Sequence, residues 1–355
     1  LSLRIRRPFD FQGRTGTIVF DVEGEINGLL QGWTSVAITE DPSPAPSFGV
    51  TQNFENGAIP RAGVEIHLFD VCSAEDRVGV GQVNVFRDYV ETYYVSGEGG
   101  RAANCVKTGP GTLNHFEIRV SRSHLEVWGS DRSLDGQDFP ASRKIFELDV
   151  DLPFERGYVH LNTHNHSSLK YSDNKIDAFT ARWDNVGFDG PQISDRREYS
   201  VGDSLEKVDV DAVPRVNVGY QLHDVAEGPA QKLVIHGVDP AGVSAANLAL
   251  NAHFNMQGGA KVEDYVLKYR VNGQAWSEYR FNDAQLAMLH GPLVYDEAGK
   301  KKREEASGIA GAMSLLLPID RQLLVAGDNS LEFVTSGVPI SYRPYVSNID
   351  LVLDL

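Results

Sequence analysis

Three side chains able to exchange protons lie within six residues of an otherwise apolar run, GVEIHLFD at 63–70. They are Glu65, His67 and Asp70. Residues two apart in a strand share a face, so Glu65 and His67 point to one side, whereas plain alternation turns Asp70 to the other. One interpretation is chemistry on a sugar, since glycoside hydrolysis uses a pair of Asp or Glu side chains. The other is an edge or surface strand with ordinary polar side chains.

A second polar set lies in YVHLNTHNHSS at 158–168, which contains His160, His164 and His166. Their numbers are all even, so a straight strand places the three imidazoles on one face. Three histidines on one face are able to bind zinc or copper. We favour a role without a metal, either as hydrogen-bonding groups on that face or as part of the structure.

The elements that must position these residues are β-strands. Short alternating or apolar runs recur between turn residues, and helical periodicity is confined to one short segment, DAQLAMLHG at 283–291. The clearest run, HFEIRVSRSHLEVWG at 115–129, is typical of a β-hairpin. Its residues Phe116, Ile118 and Val120 share one face. The pattern predicts an all-β fold built from sandwiches.

A polar stretch without a sustained pattern divides the chain. We predict a first domain at 1–191, a linker at 192–214 and a second all-β domain at 215–355. Two further segments are predicted to be loops, the proline-rich PSPAPSFG at 42–49 and the charged DEAGKKKREEASG at 296–308.

Composition excludes several classes of partner. The 355 residues carry a formal net charge of −16 with a pI near 5.0, which opposes binding to nucleic acid or to an anionic membrane. No run of 18 apolar residues is present, so we predict no membrane span. An acidic chain of this kind suits a neutral or cationic partner, and its acidic loops are able to hold calcium.

Two cysteines, Cys72 and Cys105, lack the CxxC spacing of a zinc site. They form either a disulfide, which we favour, or two separate buried thiols. A disulfide over a loop of this length stabilises a fold by about 3 kcal/mol. Because the chain begins at Leu1 rather than at Met, removal of a signal peptide is one explanation, and we expect a secreted or cell-surface protein.

The first 191 residues resemble a known family through several motifs in the family's order. These are TGTIVFDVEG at 15–24, GWTSVAITED at 32–41, GVEIHLFD at 63–70, HFEIRVSRSHLEVWGSD at 115–131 and TARWDNVGFDG at 180–190. The run resembles the concanavalin-A-like lectin/glucanase superfamily, and within it the laminarinase-like glycoside hydrolases of family sixteen. The resemblance implies a jelly-roll sandwich with a polar concave face.

The resemblance also assigns roles to the first polar set. Glu65 falls at the position of the nucleophile, Asp70 at that of the acid/base, and His67 where the family has an Asp that orients the nucleophile. A β-bulge at Leu68–Phe69 would return Asp70 to the side of Glu65. Retaining hydrolysis needs the two carboxyl groups about 5–5.5 Å apart.

The sequence departs from the family at two of these positions. Asp70 is one methylene shorter than Glu, and a misplacement of about 1 Å can cost roughly 100-fold in rate. His67 replaces a carboxylate, and a cationic imidazole lowers the pKa of neighbouring acids, which hinders a proton donor. We therefore expect a cleft that binds sugar without efficient cleavage.

The resemblance implies further contacts with a glycan on the concave face. The candidates are Trp33, Arg87, His160, Asn162, His164 and His166. Trp33 is a candidate platform for a pyranose ring, with a core position as the alternative. Asp184 occupies the position of the family's last-strand Asp, which helps to hold a structural calcium ion on the convex side.

The second half resembles a galactose-binding-like β-sandwich through its closing run, NSLEFVTSG at 329–337 followed by YVSNIDLVLDL at 345–355. Three hypotheses follow for the whole chain. The first is recognition of a polysaccharide or other glycan, the second is a retaining hydrolase of a β-glucan or galactan, and the third is a structural or assembly protein of a cell surface.

Overall fold

The structure is a computed structural model, and it describes most of the chain in fifteen segments. These are residues 2–24, 32–42, 59–72, 76–95, 105–134, 138–165, 181–189, 196–201, 212–215, 219–222, 228–253, 264–290, 294–296, 312–337 and 344–355. Regular structure within them is nearly all β-strand, which confirms the predicted fold class. The segments PSPAPSFG and DEAGKKKREEASG lie almost entirely outside these residues. No helix in the described segments is long and apolar enough to cross a membrane.

The first half forms a sandwich of a nine-stranded and a five-stranded sheet. The nine-stranded sheet contains β1 (Ser2–Ile5), β2 (Phe9–Asp10), β4 (Gly32–Thr39), β5 (Ala62–Leu68), β8 (Gln82–Arg87), β9 (Val90–Val95), β14 (Arg156–Asn165), β17 (Ala212–Arg215) and β23 (Val294–Asp296). The N-terminal five-stranded sheet contains β3 (Gly16–Glu23), β11 (Asn114–Val120), β12 (His124–Gly129), β13 (Arg143–Asp149) and β15 (Arg182–Asp189). Their strand orders are β17-β1-β14-β4-β5-β8-β9-β23, with β2 on β14, and β13-β12-β11-β3-β15.

Alternation along the strands builds the core between these two sheets. Val64, Ile66 and Leu68 of β5 are fully buried on the face that meets the N-terminal five-stranded sheet, where Phe20 and Phe116 stack with ring centroids 5.9 Å apart. The predicted hairpin at 115–129 is confirmed as β11 and β12, which pair antiparallel in this sheet. The other face of β5 is left to the odd-numbered, polar residues.

A small three-stranded sheet continues the chain after β5. It contains β6 (Asp70–Val71), β7 (Arg77–Gly79) and β10 (Val106–Lys107) in the order β10-β7-β6. Phe69 lies between β5 and β6 in the left-handed region, with φ of 63°, and its ring is buried against Phe116. The favoured disulfide is present, and Cys72–Cys105 ties this sheet together with a sequence separation of 33.

The second half forms another sandwich. Its C-terminal five-stranded sheet contains β16 (Arg196–Ser200), β18 (Gly219–Gln221), β20 (Ala245–His253), β24 (Ala312–Ile319) and β26 (Tyr345–Asp354). Its four-stranded sheet contains β19 (Gln231–Val238), β21 (Val266–Val271), β22 (Ser277–Tyr279) and β25 (Gly327–Ser336). The strand orders are β16-β26-β20-β24, with β18 on β26, and β19-β25-β21-β22. The predicted helix is confirmed as α1 (Asp283–His290).

The two sandwiches share strands. β17 pairs with β1 and β23 pairs with β9, so short strands from beyond residue 191 flank both edges of the nine-stranded sheet. The segment given as a linker also supplies β16, which pairs with β26. The polar side chains of β16 pair with charges instead of entering a core: Glu198 pairs with Arg4 of the first sandwich, and Arg196 pairs with Asp354 of the second. The domain limits at 191 and 215 stay a prediction.

Candidate functional site

The face of the nine-stranded sheet turned away from its core carries polar side chains on adjacent strands. We call it the polar face, and its described members include Arg4, Ser35, Thr39, Glu65, His67, Asn84, Tyr158, His160 and Asn162. All nine are buried. Strand register brings them together, since His67 of β5 lies opposite Ser35 of β4, which lies opposite Asn162 of β14.

Glu65 is the carboxyl group at the centre of this face, with 1% of its surface exposed. Its Oε1 accepts hydrogen bonds from Ser35 Oγ at 2.6 Å and from Asn162 Nδ2 at 3.3 Å. Burial raises the pKa of Glu65 well above its usual range and outweighs these two bonds, and the negative charge of Glu91 raises it further. Because Oε1 already accepts two bonds, the proton belongs on Oε2 when the acid is protonated.

Several buried atoms on this face have no hydrogen-bond partner among the described residues, and three of them lie around Glu65. They are Glu65 Oε2, Asn84 Nδ2 and Asn162 Oδ1. Asn84 lies directly opposite Glu65, and its Oδ1 accepts a bond from Gln82 Nε2 at 2.8 Å. Buried polar atoms are rarely left in this condition, so the set offers two donors, the neutral acid and an amide, beside one acceptor. A ligand hydroxyl is able to satisfy both kinds of atom.

His67 lies on the same face of the same sheet as Glu65, whereas Asp70 lies in a different sheet. The shared face is the predicted one, and His67 has 6% of its surface exposed. Asp70 begins β6 in the three-stranded sheet, opposite Gly79, so a change of sheet at Phe69 stands where the sequence predicted a bulge within one strand. The side chain of Asp70 lies outside the described residues, and its catalytic role stays a prediction.

The histidine-rich strand β14 places its first histidine in a structural hydrogen bond. His160 Nε2 lies 2.8 Å from Thr39 Oγ1, and that hydroxyl donates its proton to the Asp41 carbonyl at 2.8 Å. Nε2 must therefore carry a hydrogen and donate to Thr39. Strand register sets Trp33 opposite His164, but their side chains lie outside the described residues.

Of two other predicted residues, one is not described and one falls elsewhere. His166 lies outside the described segments. Arg87 has the parity of Val83 and Val85, which pack in the core, so it lies on the other face from Glu65 and forms an ion pair with Asp151 at the rim. The structure does not bring Arg87 to the polar face.

Asp184 lies on β15, exposed on the N-terminal five-stranded sheet. Its Oδ1 accepts the Asn185 N–H at 2.8 Å, and Asn185 Nδ2 donates to Asp21 Oδ2 at 2.6 Å. These groups are oxygen donors of the kind calcium prefers, and the calcium site stays a prediction.

A separate group on the same sheet brings ligand atoms of His124, Glu126 and Glu147 within 4.8 Å of one another. Lys144 Nζ lies 3.4 Å from Glu126 Oε1 and 2.5 Å from Glu147 Oε2. The lysine cation therefore already pairs with both acids and offsets one of their two negative charges.

A buried ionic network that the sequence did not predict closes one end of the polar face. Arg4, with no exposed surface, donates to Glu198 Oε2 at 2.6 Å and lies 3.6 Å from Asp350 Oδ2. Tyr158 donates to Glu198 Oε1 at 2.7 Å, and Arg196 donates to the Tyr158 hydroxyl at 2.6 Å. The acids come from the second sandwich, which thus covers this end of the face. The charged run RREYS at 196–200 is the one sequence signal for it.

Neither protein-family models nor curated proteins match the chain. Among solved structures it is similar to the β-porphyranase BpGH86A of glycoside hydrolase family 86 from Bacteroides plebeius, at 10% identity over 74% of this chain, with a TM-score of 0.26. The match spans 42% of that porphyranase.

Two further similarities concern other proteins. The exoplasmic/lumenal domain of VIP36 in its Ca²⁺/Man-bound form has 12% identity over 47% of this chain and 67% of that chain, with a TM-score of 0.28. An exo-β-1,3-galactanase from Phanerochaete chrysosporium with galactose has 12% identity over 81% of this chain and 65% of that chain, with a TM-score of 0.20. Scores this low carry no inference about the present chain.

Proposed function

We propose that this protein recognises a glycan, a polysaccharide or an oligosaccharide, on its polar face and does not cleave it efficiently. The observation that carries the proposal is the set of buried Glu65, Asn84 and Asn162 atoms without partners among the described residues. Sugar hydroxyls both donate and accept hydrogen bonds, so they complement a surface that offers amide, carboxyl and imidazole groups.

The approach to these atoms runs along β8. Gln82 is half-buried, lies opposite His67 and donates to Asn84, which lies beside Glu65. We expect a ligand to meet His67 and Gln82 first, with Glu65 as the floor of the site. Because Glu65 itself is buried, full contact with the floor requires the covering atoms to move.

The protonation state of Glu65 argues against the nucleophilic role. A nucleophilic carboxylate must be ionised, and burial holds this group in its neutral form over a wider pH range than an ordinary glutamate. A neutral acid donates a hydrogen bond instead, which suits recognition. The Cys72–Cys105 disulfide supports a secreted or cell-surface location, because such bonds persist in oxidising compartments.

The test combines a glycan array, calorimetry on the glycans found and an assay of reducing-sugar release. We expect saturable binding without release of reducing ends. His67→Ala and Gln82→Ala should weaken binding about ten-fold, which is the loss of about one good hydrogen bond. Glu65→Gln keeps the neutral charge and the shape, so binding should persist.

His124→Ala, at an exposed histidine of the other sheet, is the matched control and should leave binding unchanged. Release of reducing ends that disappears in Glu65→Gln would instead establish a hydrolase. Absence of binding to every glycan, together with self-association in solution, would establish an assembly protein.

A further inference from the structure

We propose that a second site, between the two sandwiches, binds a small neutral ligand rich in hydroxyl groups, a monosaccharide, disaccharide or other polyol. The site is a cleft of about 390 Å³, which we call the inter-sandwich cleft. The first sandwich lines it with Glu40, Asp41 and Arg61, and the second with Asn247 and Tyr279, among others. Its volume lies near the lower end of the range of about 300–1,000 Å³ for small-molecule pockets.

Amide groups in the cleft are available to a ligand. The Asn247 side chain and Asn282 Nδ2 make no hydrogen bond within the described segments, while Asn282 Oδ1 accepts the Gln285 N–H at 2.9 Å. An amide presents both donors and an acceptor, so each side chain is able to pair with a hydroxyl in either sense.

The charges of the cleft select a neutral ligand. Glu40 and Asp41 supply two negative charges, and Arg61 and Arg196 supply two positive charges, so the lining has no net charge. Arg61 is ion-paired with Glu40, and Arg196 donates to Asp354 Oδ1 at 2.7 Å. A charged ligand would have to break one of these pairs, whereas a hydroxyl accepts from or donates to the groups as they stand.

Apolar surface lies beside these polar groups. Leu316 is 48% exposed on the outer face of the C-terminal five-stranded sheet, although large apolar side chains usually turn inward, and Val352 lies on the same lining. The ring of Tyr279 adds an aromatic face. The C–H face of a sugar packs on such a surface while its hydroxyls reach the amides and carboxylates.

Hydrogen bonds within the protein hold the back wall of the cleft in place. Gln285, with 1% of its surface exposed, donates to the hydroxyls of Tyr89 at 3.1 Å and Tyr279 at 2.6 Å. It also forms a reciprocal cap with Asn282 at the start of α1, since Gln285 Oε1 accepts the Asn282 N–H at 3.0 Å. Tyr89 in turn donates to the Ser314 carbonyl at 3.0 Å, which joins the sandwiches. Preorganisation of this kind reduces the entropic cost of binding.

The experiment measures binding of glucose, galactose, mannose, maltose and inositol to the full chain by saturation-transfer NMR and calorimetry. Glucuronate and glucosamine serve as charged counterparts. We expect at least one neutral compound to bind saturably at millimolar concentration and more tightly than its charged counterpart. Leu316→Trp, which fills the cleft from an exposed position, should abolish that binding, and Asn247→Leu should weaken it about ten-fold.

Leu134→Trp is the matched control, because Leu134 is 84% exposed elsewhere on the surface, and it should change nothing. His67→Ala should also leave this affinity intact. Loss of binding in His67→Ala but not in Leu316→Trp would assign the compounds to the polar face and overturn the inference. So would tighter binding of a charged counterpart, or no binding of any neutral compound, even if the glycan proposed for the polar face still binds.

Discussion

Glu65 shows how a single buried carboxyl group couples folding to pH. Its pKa is raised in the folded chain, mainly by burial, so the folded state holds a proton that the unfolded state releases above its ordinary pKa of about 4.5. The unfolded state therefore binds fewer protons over that range, and the free energy of unfolding falls as pH rises. The fall ends only when the pH passes the folded pKa.

We predict that Glu65→Gln removes this fall. From about pH 5 upward, the difference in free energy of unfolding, variant minus unaltered protein, should increase by about 1.4 kcal/mol per pH unit. Urea denaturation across that range measures the difference. Glu278→Gln is the control, because the hydrogen bond from Lys268 lowers the pKa of Glu278 and its contribution is lost only toward acid pH. A constant difference between Glu65→Gln and the unaltered protein would contradict the prediction.

Residue type and spacing predicted part of the site. The shared face of Glu65 and His67 followed from alternation alone. The position of Asp70 did not follow, because it depends on Phe69 taking a left-handed backbone conformation. Burial of the Phe69 ring offsets the energetic cost of that conformation, and no local sequence pattern indicates it. Arg87 was misplaced for a related reason, since the parity of β8 had no fixed reference until its pairing with β5 was known.

The three-stranded sheet is the element most dependent on a covalent bond. It has only seven residues in its strands, two in β6, three in β7 and two in β10. Strands this short are marginal by themselves. The Cys72–Cys105 bond joins the end of β6 to the start of β10 across a separation of 33 residues.

We predict that replacing Cys72 and Cys105 together by serine lowers the free energy of unfolding by roughly 3–4 kcal/mol, mainly because the unfolded chain regains freedom. Urea denaturation with and without a reducing agent provides the measurement. The reducing agent should bring the unaltered protein to the stability of the variant and leave the variant unchanged. Equal stability of the two proteins without reductant would contradict the prediction.

At the scale of elements, the sequence predicted what depends on neighbours along the chain. The hairpin β11–β12 and the helix α1 were located because turn chemistry and periodicity are local. The pairing of β17 with β1 was not predicted, since it joins residues about 210 positions apart through a four-residue strand. β16 was missed because its polar side chains find their partners only in the assembled protein.

The whole molecule is held together by buried charge as well as by apolar packing. Arg4 from the first strand faces Glu198 and Asp350 from the second sandwich, with side chains exposed by 3% or less. Removing one partner of a buried set leaves the other charges without compensation and typically costs about 3–5 kcal/mol.

We predict that Arg4→Met destabilises the chain by that amount and separates the unfolding of the two sandwiches, seen as two transitions in calorimetry. Arg14→Met is the matched control, because the pair of Arg14 with Asp189 at 3.8 Å is largely exposed. Exposed pairs of this kind contribute less than about 1 kcal/mol. Equal effects of the two substitutions would show that the Arg4 network does not join the sandwiches.

Both edges of the nine-stranded sheet are formed by strands from the later half of the chain, because β17 pairs with β1 and β23 pairs with β9. Unpaired edge strands are able to pair with strands of other chains and cause aggregation. A recombinant fragment that ends near residue 191 would therefore expose two unpaired edge strands, β1 and β9. It would also leave Arg4 without Glu198 and Asp350. The two halves are therefore not independent modules, and a gene fusion that transfers the polar face to another protein needs the entire chain.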